Sequence, residues 1–126
     1  METRPILFRG KRVDTGEWVE GLPSTDVHYR WFITVDYSPQ GVRVLKRLEI
    51  DPATVGQFTG LTDKHGENIF EGDIIQLDTT TCPITWDDGG FQMVTVINQG
   101  RSPVLQDRTR KFEIIGNIHD TPELLK

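Results

Sequence analysis

The chain has 126 residues, enough for one domain or two very small lobes sharing a core, and folding a chain of this size buries roughly two thirds of its unfolded surface. Fourteen basic against nineteen acidic residues give a formal charge of −5, and the excess is concentrated: residues 51–100 carry Lys64 against eight carboxylates, a balance of −7, which leaves +2 for the flanks. That makes a poor general polyanion binder, which must displace counterions with Lys and Arg, and the single cysteine, Cys82, excludes an intramolecular disulfide.

In chain order, residues 6–21 read as a β-hairpin. Ile6–Leu7–Phe8 forms one apolar arm and Trp18–Val19 the other, with the reversal at Asp14–Thr15–Gly16. Arg9, Lys11 and Arg12 read as a solvated strand edge that deters aggregation. Leu22 to His28, with Pro23, Ser24 and Asp26, reads as a loop. From Tyr29 the pattern alternates: Trp31, Ile33, Val35 and Tyr37 share one face, and Phe32, Thr34 and Asp36 share the other. Ser38–Pro39–Gln40–Gly41 turns the chain, and Val42, Val44, Leu48 and Ile50 line the return strand, interrupted by Lys46. Residues 1–51 are therefore expected to form an N-terminal hairpin lobe.

Residues 52–73 organise the chain. Asp51 before Pro52 starts a helical turn, which Gly56 stops. Gly60 permits a positive φ or a close backbone approach. Asp63 to Asn68 is a turn with His65–Gly66 at its tip, and Phe70–Glu71–Gly72–Asp73 is a second turn opening into the strand Ile74–Leu77. Residues 74–126 continue with a strand at Pro83–Trp86, a turn at Asp87–Asp88–Gly89–Gly90 and a strand from Phe91 to Asn98. Gln99 to Pro103 breaks the pattern, and a last strand runs from Lys111 to Ile115. Five short strands with tight turns suit a small Src-homology-3-like barrel. Asp120 to Leu125 reads as one capped helical turn whose Leu124 and Leu125 dock on a neighbour. The expected fold class is all-β: two small β lobes joined by a Gly-rich central stretch, with one or two short helical turns.

Candidate chemistry is sparse. His28, His65 and His119 lie apart with no ligand partner at helical spacing, so no structural metal is expected. Asp63, His65, Glu67, Glu71 and Asp73 place oxygen donors at alternating positions but lack the twelve-residue spacing of a calcium loop, and the turn explains Gly66 and Asn68 without a cation. Asp87–Asp88 read as turn residues rather than an acid–base pair, and Cys82 as a small packed strand residue. Nucleophile-elbow and phosphate-cradling glycine patterns are absent. Phe32 with Arg43 and Arg47 forms the candidate binding face, the first suspects if bases were stacked there. No stretch reads as a signal peptide and no apolar run approaches the ~20 residues of a membrane span, so a soluble cytoplasmic protein without membrane contact is expected.

The run Val55–Gly56–Gln57–Phe58–Thr59–Gly60–Leu61, then Asp63–Lys64–His65–Gly66, then Ile69–Phe70–Glu71–Gly72–Asp73 closely resembles the YopX family of phage and prophage proteins. Phe8–Arg9–Gly10–Lys11 and Gly16–Glu17–Trp18–Val19–Glu20–Gly21 near the start extend the resemblance. So do Ile114–Ile115–Gly116–Asn117–Ile118–His119 and Pro122–Glu123–Leu124–Leu125 near the end, so that it spans nearly the whole chain in the family's order. Leu22 to Glu49 and Thr79 to Lys111 carry little of it. The resemblance implies a single YopX-like domain over residues 1–126, β-rich, encoded by a phage or prophage and acting in the bacterial cytoplasm. It marks Gly56, Gly60, Gly66, Phe70, Gly72, Asp73, Gly116 and Asn117 as a structural signature and transfers no catalytic, cofactor or metal residue. The leading expectation is a non-catalytic, self-associating interaction module with a phage or host protein partner. A nucleic-acid-binding small barrel is the alternative, disfavoured by the acidic charge, and an enzyme with an inter-protomer site around His65 and Glu71 is the third reading.

Overall fold

The computed structural model describes residues 6–87, 90–94, 101–103 and 111–125. The protein is mostly strand, and among the described residues no helix reaches seven residues and the strands gather into two sheets, so the all-β expectation is met. The chain divides into two compact units, Met1–Gln57 and Phe58–Lys126.

The first unit is an antiparallel sheet of β1 (Phe8–Lys11), β2 (Trp18–Thr25), β3 (Trp31–Tyr37), β4 (Val44–Ile50) and the opening residues of β5 (Gly56–Thr62), in the order β4-β3-β2-β1-β5. The expected first hairpin forms, with Phe8 opposite Gly21 and Lys11 opposite Trp18. Its turn closes through the Gly16 N–H on the Arg12 carbonyl at 2.9 Å, with Gly16 at φ +74°, where a missing Cβ removes the steric cost. The second hairpin pairs Trp31 with Ile50 through to Tyr37 with Val44.

Leu22–Thr25, expected as a loop, is strand instead, pairing with Trp31–Thr34. Pro23 is tolerated because β1 reaches only as far as Gly21, so β2 has a single neighbour at Pro23 and needs no second donor there. The loop proper is Asp26–Arg30. There Asp26 Oδ1 accepts the N–H groups of His28 and Arg30, each at 2.9 Å, and Oδ2 holds the Arg30 guanidinium at 2.7 Å.

Cross-strand register puts Gly10 and Gly21 on the same face as Ile33 and Ile50, and that face is the inside of a curl. A Cβ on Gly10 would lie 2.5 Å from Ile50 Cδ1, and one on Gly21 would collide with the Thr34 carbonyl oxygen. These two glycines let the strands close over the fully buried Ile33 and Ile50. The curl brings the end of β1 back to the end of β4. Arg12 bridges Ile50, the Val13 N–H donates to the Glu49 carbonyl at 3.1 Å, and the Asp51 N–H donates to the Lys11 carbonyl at 2.8 Å. The turn after Asp51 is the expected one: the Asp51 carboxylate accepts the Ala53 N–H at 3.0 Å, and Pro52–Thr54 makes one 3-10 turn before Gly56.

In the second unit β5 pairs with β6 (Asn68–Phe70). β7 (Asp73–Leu77), β8 (Thr80–Asp87), β9 (Gly90–Val94), β10 (Arg101–Pro103) and β11 (Glu113–Asn117) form an antiparallel sheet in the order β10-β9-β8-β7-β11. No closed barrel is formed among the described residues. Arg101–Pro103, expected as a break, is strand; Pro103 sits on the strand at the end of the order, where a missing N–H is least costly. Thr95–Asn98 and Gln99–Gly100, expected as strand end and break, lie outside the described residues, as do Asp88–Gly89 of the expected turn between Asp87 and Gly90. Ile69, Ile75, Cys82, Ile84 and Phe112 form the core, with Leu77 and Ile114 packed against it. Burial pushes the Cys82 thiol pKa up, so this is a packing residue in a strand rather than a thiolate. A final 3-10 turn, Pro122–Leu125, follows Thr121.

Gly21→Ala is expected to lower stability by about 1–3 kcal/mol through overpacking against the Thr34 carbonyl and Ile33. Thermal melts against the wild type check this; an unchanged melting point would show that the curl does not depend on a missing Cβ at position 21.

Candidate functional site

The hairpin turn between β5 and β6 is built on Asp63, 5% exposed. Its Oδ1 accepts the N–H groups of His65 and Glu67, both at 2.9 Å, and its Oδ2 accepts the Ile114 N–H at 3.1 Å. The Lys64 N–H adds a bond to the Phe112 carbonyl at 2.9 Å, which pins the turn beside the last strand. Burial pushes the Asp63 carboxyl up, the three amides pull it down, and the amides prevail, holding it below the usual carboxylate range. At the next turn, Asp73 Oδ2 accepts the Phe70 N–H at 2.7 Å. Gly72, at φ +93°, receives the Ile118 N–H on its carbonyl at 2.9 Å and donates to the Ile84 carbonyl at 2.8 Å.

The last turn is closed in the same manner. Asn117 Oδ1 accepts the N–H groups of His119 and Asp120 at 3.0 and 2.9 Å, and Thr121 Oγ1 accepts the Asn117 N–H at 3.1 Å. Gly116 leaves the room this needs, since a Cβ there would collide with Thr121 Oγ1 and lie 2.9 Å from Leu124 Cδ1. Phe70 is a core residue, its ring centroid 5.5 Å from that of Phe58.

In the first unit, Phe32, Arg43 and Arg47 come together on the outer face of β3 and β4, but not as an open stacking platform. Phe32 is 7% exposed, with the Arg47 guanidinium 4.0 Å and the Arg30 guanidinium 5.6 Å from its ring centroid. Arg43 Nε lies 3.2 Å from Asp36 Oδ2. On the other face Lys46 Nζ stands 4.2 Å from the Tyr37 ring. The same hairpin leaves Tyr37, Val42, Val44 and Leu45 exposed, Val42 and Leu45 by 62% and 58%.

The sequence model described as YopX protein matches residues 7–126. The chain belongs to the YopX family. Among solved structures it is similar to the crystal structure of protein EF1440 from Enterococcus faecalis, at 24% identity and a TM-score of 0.67, over 98% of this chain and 100% of that one. That likeness is one of fold. No curated protein matches.

Within this YopX fold, the signature residues sit at turns and in the core. Gly60, Gly66 and Gly72 all take positive φ, for Gly60 one of the two roles its sequence position left open, and Asp73, Gly116 and Asn117 close turns. Asp63, which sequence reading places in a turn only, accepts three main-chain N–H groups; its bond to Ile114 spans 51 residues, a separation for which local sequence carries no signal. Arg30, at the end of the Asp26–Arg30 loop with its guanidinium 5.6 Å from the Phe32 ring centroid, was also missed. His65 is 57% exposed, and its charged neighbour is Glu113, at 3.5 Å from Nε2 to Oε1, not Glu71. Among the described residues no three His, Cys, Asp or Glu side chains are grouped to hold a metal, and no helix is long and apolar enough to cross a membrane.

Two outcomes follow for this YopX chain. Asp63→Asn is expected to cost about 1–3 kcal/mol at neutral pH, because all three amides lose a charged acceptor and the Asn NH2 group cannot accept in place of one oxygen. Asp63 is lowered in the folded state, so its contribution is fully present above the unfolded value of about 3.9 and is lost as pH falls through the lower folded value. Wild type and variant should therefore converge in acid, which urea titrations at several pH values check; a gap that stays constant with pH would show that the charge is not what stabilises the turn. Gly72→Val is expected to cost on the order of 1–3 kcal/mol through its left-handed backbone, and an unchanged thermal midpoint would refute this.

Proposed function

We propose that this YopX-family protein is a phage- or prophage-encoded accessory protein that acts in the bacterial cytoplasm through protein contacts, self-associates and catalyses no reaction. One observation carries the reading. The carboxylates of the family's central stretch, Asp63 and Asp73, accept main-chain N–H groups within the fold, while apolar side chains are left outside at the β3–β4 hairpin, where Tyr37 and Val44 stand opposite each other and meet solvent, with Val42 also exposed and Leu45 exposed on the other face. Polar groups that cap backbone are not placed for acid–base work, and clustered exposed apolar side chains mark contact surfaces. Base stacking gains little support, because the Phe32 ring is already covered by Arg47 and Arg30.

Light scattering on the purified chain at micromolar concentration is expected to give a multiple of the monomer mass; a strict monomer removes self-association from the reading. Tagged protein drawn from prophage-carrying cells is expected to bring a protein at fixed stoichiometry. Nucleic acid retained at moderate salt, without protein, would overturn the interaction-module reading in favour of nucleic-acid binding.

A further inference from the structure

We propose that the open edge of β4, Val44–Arg47, is a docking strand for an extended, acidic and aliphatic segment of another protein, an inference that rests on the interaction-module reading. Over these four residues β4 has β3 as its one neighbour among the described strands, and all four side chains are exposed. Further along, the edge is already closed: Val13 bonds to Glu49 and Arg12 bridges Ile50. The opening is thus short and bounded, and its row of main-chain donors and acceptors fits one added strand of about four to six residues.

Charge selects the occupant. Lys46 and Arg47 put two cations on this edge, beside an Arg43 already paired with Asp36, with no carboxylate between positions 43 and 47, and the excess of acid in the chain lies elsewhere. Residues 1–57 carry eight basic and eight acidic residues, so the whole −5 belongs to residues 58–126. Val44 and Leu45, one to each face, add apolar contact between the cations. A second copy is the poorer occupant. Antiparallel two-fold pairings centred on Leu45 or Lys46 set Arg43 opposite Arg47 or Lys46 opposite its own copy, and like charges directly opposite destabilise a ladder. A strand carrying carboxylates in those positions gains where the copy loses.

The test is amide NMR on the full chain titrated with a synthetic octapeptide of alternating glutamate and valine, with the lysine–valine octapeptide as control. The expected result is shifts confined to Val44–Arg47 and their partners on β3, with the acidic peptide alone, and about tenfold weaker binding in Lys46→Glu. Lys46 is exposed, with its Nζ over the exposed Tyr37 ring, so an unchanged melt will show that this variant folds. No shift at Val44–Arg47 up to millimolar peptide, or equal binding of the lysine peptide, overturns the assignment. Concentration-dependent protection of the same amides without peptide identifies a second copy as the occupant and also overturns it. A protein partner from cells that persists with Lys46→Glu and Leu45→Asp overturns this inference while leaving the interaction-module reading standing, whereas an oligonucleotide that moves these amides in place of the peptide overturns both.

Discussion

The second unit depends on one buried carboxylate. Asp63 takes two N–H groups from its own turn and a third from Ile114, on the other side of 51 residues of chain. An isolated charge would be costly at such a depth; three amide dipoles aimed at it offset the lost hydration and convert a penalty into a fastening. The side chain has to be short, because it must reach N–H groups two and four residues on as well as β11. With β11 fixed, Phe112 is set into the core against Ile69, Ile75 and Ile84, so the position of the largest apolar group there follows from a polar contact at the rim.

The first unit is held by a different means. Its carboxylate caps are local, Asp26 closing its own loop and Asp51 its own turn, while the Lys11 N–H reaches Thr54 Oγ1 at 2.9 Å across the unit, and two missing side chains set how closely its strands approach. Gly10 and Gly21 allow the sheet to curl tightly enough for Arg12 to meet Ile50. One half of the chain is thus shaped by a hydrogen-bonded charge and the other by a permitted close approach.

These differences decide what sequence reading could reach. Turns are written in local chemistry, so Asp51–Pro52, Asp63–Gly66, Gly72–Asp73 and Ser38–Gly41 are all legible, and so are the alternating strands between them. Leu22–Thr25 and Arg101–Pro103 were misread for a common reason: a proline argues against a strand unless the strand is unpartnered on one side, and that is a property of the sheet. The candidate face was legible in membership but not in state. Period-two alternation puts Phe32 on one face with Thr34 and Asp36, while the covering of Phe32 by Arg47 depends on a register between strands that no window of sequence displays. The acidic excess of the whole chain hid a neutral first unit with a cationic edge.

The reach of Asp63 to Ile114 also orders events in time. The first unit is complete within its first 57 residues, so its sheet has all its strands while the remainder is still being made. The second unit lacks the third donor to its buried carboxylate, and the core residue beside that donor, until β11 has emerged. Until then an acidic hairpin turn stands with part of its lining missing, exposed to water that the finished fold excludes. The later half of this protein is therefore the half that waits, and a nascent chain passes through an interval in which the cationic β4 edge is already formed and the acidic unit is not.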